Sequence, residues 1–98
     1  MTEHFNKLTP AKAERLSMLA EELSEAIQIT MKIMRHGYES YNPNDPEFTS
    51  NDRLLTHEIA DVLAVLQMME KDFDQPSQST IQNARERKLR YAHHQNEE

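Results

Sequence analysis

Apolar residues recur at spacings of three and four along two long stretches of this chain, the mark of helices with a buried face. In the first stretch they are Leu16, Leu19, Ala20, Leu23, Ala26, Ile27 and Met34, with a second set, Met18, Ile29 and Ile33, lying off that stripe. In the second they are Leu55, Ile59, Val62, Leu66, Met69 and Phe73, widened by Leu54, Val65 and Met68. Local signals bound these stretches. Thr9 reads as an N-cap with Pro10 at the first helical position, and Gly37 as a left-handed C-cap. Residues 10–36 therefore form one long helix. The segment 38–50, rich in Asn, Asp, Pro and Ser, is a loop. Thr49 or Ser50 caps a second helix that runs to about Phe73. Pro76 interrupts, and Ser77 or Ser79 caps a third helix ending near His93.

These elements predict an all-α fold: a helical bundle of two long helices and one shorter one. It forms a single domain over 1–98, with frayed tails at 1–8 and 94–98. The apolar faces are broader than one antiparallel neighbour covers, so homo-oligomerisation is expected to complete the bundle.

Composition narrows the chemistry. The chain has 98 residues, no cysteine, one glycine and a formal net charge of −6. Without cysteine there is neither a disulfide nor a thiolate metal site, which suits a cytoplasmic protein. The acidic balance argues against nucleic acid or an anionic membrane as partner, and no apolar run is long enough to span a bilayer. A single glycine leaves no material for Gly-rich phosphate loops. Phosphate chemistry on this chain would have to use metal ions or cationic side chains.

Two carboxylate pairs interrupt the apolar stripes. In EELSEAIQ, Glu22 and Glu25 are three apart and neighbour each other on the helix surface. In HEIADVLAVL, Glu58 and Asp61 repeat the spacing, with Leu54, Leu55 and Val62 one turn from Glu58. A carboxylate held against apolar neighbours must be protonated, paired or bound to a cation. No basic residue lies one turn from Glu22 or Glu58. A hard divalent cation with oxygen ligands, Mg²⁺ or Mn²⁺, resolves the repulsion if the two helices bring the pairs face to face. Glutamates at this spacing are usually a solvated face; it is two such pairs beside two apolar stripes that point to a metal. A di-iron carboxylate bundle needs Glu-x-x-His motifs, and the chain contains none.

Glu21-Glu22-x-x-Glu25, a 32-residue spacer and Glu58-x-x-Asp61 resemble the EExxE…ExxD signature of the MazG-like all-α nucleoside triphosphate pyrophosphohydrolases. The resemblance covers roughly residues 8–91. It implies a Mg²⁺-dependent enzyme that assembles as a dimer or tetramer and cleaves a (deoxy)nucleoside triphosphate to the monophosphate and pyrophosphate. By motif position it implies Glu22, Glu25, Glu58 and Asp61 as metal ligands at the catalytic centre, with Glu21 as an accessory acid.

The third helix ends in a basic stretch, NARERKLRYAHH. Lys88 falls within its stripe of Ile81, Ala84 and Ala92, with Arg85 one turn away, and both are candidates to contact a triphosphate. The bland alternative is a solvated end that complements the helix dipole. Gln28, Tyr38, Tyr41, Asn42 and Phe48 are candidate base contacts, because amides read base edges and aromatic faces stack. The competing functional reading is a non-catalytic helical dimer that serves as a nucleotide-binding or protein-interaction module. A weaker third is a structural bundle held by metal.

Overall fold

The computed structural model describes residues 5–96. The expected fraying of residues 1–4 and 97–98 lies outside the described residues. Among the described residues the structure is all-helical, with α1 spanning Pro10–His36, α2 Asn51–Met68 and α3 Gln78–Arg90. The β-structure is one isolated antiparallel bridge between Tyr41 and Ser50.

The predicted start of α1 is present in detail. Thr9 is extended, and its hydroxyl accepts the Lys12 N–H at 3.1 Å, satisfying one of the first-turn donors. At the other end the Gly37 N–H donates to the Ile33 carbonyl. Gly37 does not take the expected left-handed helical conformation. Its φ of 87° is paired with an extended ψ of 166°, a region in effect reserved for glycine. The chain thereby leaves α1 in an extended direction and runs alongside the start of α2.

The loop 38–50 is held by its own hydrogen bonds. The N–H groups of Asn51 and Asp52, first-turn donors of α2 that need partners, bond to the carbonyls of Ser40 and Tyr38 at 2.8 and 2.9 Å. Ser50 occupies the N-cap position without a side-chain cap bond. Asn51, fully buried, donates from Nδ2 to the Gly37 carbonyl at 3.0 Å. Asp45 accepts the N–H groups of Glu47 and Thr49 at 3.0 and 2.9 Å, which brackets Phe48 in its left-handed φ of 52°.

α1 and α2 form an antiparallel hairpin, fastened far from the loop by an ion pair. The Arg15 guanidinium donates to both Asp72 carboxylate oxygens, at 2.7 and 2.9 Å. Regular helix stops at Met68 rather than Phe73, and the chain continues in turns that carry Asp72 to Arg15. Likewise α3 stops at Arg90 rather than near His93. The Ser77 hydroxyl caps α3 by accepting the Thr80 N–H.

The face of α1 turned toward α2 differs from the one its hydrophobicity favours. The half-buried positions are Lys12, Arg15, Met18, Leu19, Glu22, Glu25, Ala26, Ile29, Lys32 and Ile33, so the smaller apolar set lies in the seam together with Leu19 and Ala26 of the main stripe. The ridge Leu16, Leu23, Ile27, Met31 and Met34 stays in water, with Ile27 63% and Met34 74% exposed. α1 is apolar on two sides, and apolarity alone does not choose between them. The seam chosen is the one that pairs Arg15 with Asp72 and places Glu22 and Glu25 against α2. On α2 and the turns that follow it, Leu54, Leu55, Val62, Val65, Leu66 and Met69 turn inward, while Ile59, Leu63, Met68 and Phe73 remain exposed. Among the described residues the buried apolar side chains come down to Val65 and Met69.

α3 packs on neither α1 nor α2, so within one chain the packed helices are α1 and α2 alone. A lone helix of this length is marginal in water.

The ion pair carries a pH signature. Hydrogen bonds from Arg15 hold the Asp72 carboxyl below its usual range, against burial, which acts the other way. A depressed carboxylate stabilises the fold above its unfolded-state pKa, and that contribution disappears as pH falls through the folded-state value. Asp72→Asn should therefore lower the melting temperature at neutral pH and leave it unchanged in strong acid. Thermal melts across the acid range check this; equal melting temperatures for both proteins at neutral pH would refute it.

Candidate metal centre

The hairpin register decides what the four motif carboxylates can do. Because α1 and α2 run antiparallel with Arg15 opposite Asp72, the 22–25 turn of α1 lies opposite the 58–61 turn of α2. One carboxylate oxygen from each of Glu22, Glu25, Glu58 and Asp61 falls within 4.8 Å of the others. Glu22, Glu25 and Glu58 are half-buried in the seam, and Asp61 is exposed at its edge. Three of the carboxylates thus lie within the seam and the fourth at its exposed edge.

Its electrostatics are those of an unneutralised site. The Glu22 carboxyl is pushed above its usual range by burial first, then by the charges of Glu25 and Asp61. Glu58 is raised by burial, by its hydrogen bond with Glu25 and by the charges of Glu25 and Asp61, with His57 opposing slightly. One oxygen of Glu22 and one of Glu58 are buried without a hydrogen-bond partner. Among the described residues no lysine or arginine pairs with any of the four. Buried carboxylate oxygens are normally hydrogen-bonded or bound to a cation.

Oxygens around Mg²⁺ lie at about 2.1 Å, so opposite ligands are about 4.2 Å apart; around Ca²⁺ they reach about 5 Å. The observed spread fits a hard divalent cation. It accommodates Ca²⁺ as it stands and Mg²⁺ after a contraction of about half an ångström. The donor set, the spread and the two orphaned oxygens all fit such an ion.

Raised carboxyls give a second pH prediction, opposite in sign to that of Asp72. In metal-free protein the stability supplied by protonating Glu22 and Glu58 is complete below the ordinary glutamate value of 4.5. It is lost as pH rises through the raised folded-state values. A cation competes with those protons. The melting-temperature gain from Mg²⁺ relative to chelator should therefore be near zero in acid and grow toward neutrality. At a hundred times Kd the stabilisation is about 2.7 kcal/mol. A gain independent of pH would place the ion elsewhere.

The other expected site residues fall outside this cluster. Glu21 is exposed and is not one of the four clustered carboxylates. Gln28 is exposed on α1. Arg85 and Lys88 line a groove on α3 with Ile81, Ala84 and Leu89, and α3 does not approach the α1–α2 seam within the chain. Sequence reasoning missed the role of Asn51, for which its place beside the N-cap was the available signal. It also missed that Lys32 and His36 face a cavity against the loop.

Compared with models of known protein families, with curated proteins and with solved structures, the chain matches none.

Proposed function

We propose that this protein is a Mg²⁺-dependent pyrophosphohydrolase that cleaves a (deoxy)nucleoside triphosphate to the monophosphate and pyrophosphate, in the manner of the MazG-like enzymes its motifs resemble. The observation that carries the reading is the convergence of Glu22, Glu25, Glu58 and Asp61 from two helices, two of them with buried, unpartnered oxygens. Those four residues would hold the ion. Bound there, it supplies positive charge for a polyphosphate and a lowered pKa for attacking water.

The chain's own residues complete the chemistry. A carboxylate oxygen not used as a ligand accepts the proton of the attacking water. The half-buried seam limits access of bulk water behind the site. No serine or lysine nucleophile is needed, because charge neutralisation and alignment suffice for an in-line displacement at phosphorus.

Self-association as a dimer or tetramer belongs to the same proposal. Its support is the exposed ridge from Leu16 to Met34, exposed Ile59 and Leu63 on α2, and an amphipathic α3 with no partner in its own chain. These surfaces equally suit a non-catalytic helical dimer, and one assay separates the two. The chain is incubated with Mg²⁺ and a panel of canonical and modified nucleoside triphosphates, and pyrophosphate is measured. Release from at least one nucleotide is expected; none from any overturns the enzyme reading.

A further inference from the structure

The C-terminal turn of α1 and the first part of the loop line a half-open cavity of about 410 Å³, bordered by Lys32, His36, Ser40, Tyr41, Asn42 and Pro43. That volume is within the range of small-molecule sites. Its place on α1 ties it to the carboxylates. Lys32 follows Glu25 by seven residues, which is two helical turns on the same face and about 10 Å along the axis. Both side chains are half-buried on the stripe that faces α2. His36 lies one turn further on.

The polar groups here are set in place by the loop. Asn42 Oδ1 accepts the Asn44 N–H at 2.9 Å, which fixes the amide and leaves its two Nδ2 hydrogens for a ligand. Tyr41 is held at its backbone by the bridge to Ser50 and at its ring by an edge contact with Phe48, the centroids 5.2 Å apart. Lys32 makes no ion pair among the described residues. The wall therefore offers a cation on the side nearer the carboxylates, then an aromatic ring and a fixed pair of amide donors.

We infer that this cavity receives the nucleoside end of the substrate, with Lys32 meeting the phosphate chain and Tyr41 and Asn42 meeting the base. The inference rests on the pyrophosphohydrolase reading for the identity of the ligand. An aromatic ring and a hydrogen-bond donor select a flat heterocycle with an acceptor on its edge. A lysine two turns from a cluster of carboxylates suits an anionic chain that runs between them. Because Asn42 presents donors, bases with a carbonyl at the contacted edge are preferred over those with an amino group there.

Two measurements on the full chain test this. Amide chemical shifts are followed as a nucleoside 5′-monophosphate is added without metal. Shifts should centre on Lys32, Tyr41 and Asn42; shifts centred on Arg85 and Lys88, or none, overturn the cavity assignment. Steady-state kinetics with Mg²⁺ are then compared for Lys32→Met and Asn42→Asp, the latter retaining the acceptor that bonds the Asn44 N–H. Lys32→Met should raise KM about tenfold with a smaller change in kcat, and Asn42→Asp should shift the ranking toward amino-bearing bases. Turnover with KM and base ranking unaltered in both variants overturns the cavity while leaving the enzyme reading intact. Shifts in the cavity without pyrophosphate release from any nucleotide leave the cavity standing and remove the enzyme.

Discussion

Glu58→Gln should reduce pyrophosphate release by at least about a hundredfold, the loss of roughly 3 kcal/mol of transition-state stabilisation, and should raise the melting temperature of the metal-free protein. The two effects have one cause. Glu58 lies inside the seam with one oxygen buried and unpartnered, and its carboxyl is raised by burial and by Glu25. A neutral amide of the same shape removes a charge that the apo fold holds at a cost, and its N–H can donate to Glu25. It also removes a ligand and weakens the site. A residue serving only the structure would lose stability on substitution without this opposite movement. Activity assays and thermal melts in chelator on the same preparations check both halves. Retained activity would mean that the metal does not depend on Glu58.

Met69→Ala should be the most damaging apolar substitution in the chain, destabilising it by about 2–5 kcal/mol. The reason is scarcity. Met69 and Val65, at 3% and 4% exposure, are the buried apolar side chains among the described residues, and domains of this size hold roughly 5–15 kcal/mol in all. Met69 also sits where α2 gives way to the turns that deliver Asp72 to Arg15, so a cavity there loosens the fastening as well. By contrast Met34→Ala, on the exposed ridge, should change monomer stability little. Urea unfolding of both variants measures the difference. A Met34→Ala loss as large as that of Met69→Ala would mean that the exposed ridge is buried by self-association in solution.

The helices were legible because their boundaries are local. Thr9, Pro10, Ser50 and Ser77 act within a turn of where they stand, and the periodicity of α1 and α2 is long and regular. The face on which α1 packs was not legible. Apolar residues occupy two sides of that helix, and the choice depends on partners far away in sequence, Asp72 for Arg15 and the 58–61 turn for Glu22 and Glu25. The end of α2 was misplaced for the same reason, since the turns after Met68 serve an ion pair invisible to local reading. Gly37 was located by its residue type, but its extended ψ follows from loop carbonyls that must meet the first turn of α2.

The carboxylate cluster divides along the same line. Spacing three within each helix places two carboxylates side by side, and that much is sequence. That the pairs face each other across one seam is a property of the hairpin register. Glu21, adjacent to Glu22 in sequence, is carried about 100° around the helix and stays outside. Lys88 and Arg85 were expected from charge and periodicity, which describe α3 and say nothing of what it packs on.

The central claim is that these four carboxylates form one divalent-cation site, and titration with Mn²⁺ followed by electron paramagnetic resonance tests it most directly. Mn²⁺ takes the same oxygen ligands as Mg²⁺, and its free signal reports the unbound ion. The wild-type chain should take up Mn²⁺ with saturation, and the double variant Glu25→Gln, Glu58→Gln should leave it free over the same range while keeping its helical content. Equal uptake by both proteins, or none by the wild type, would contradict the site.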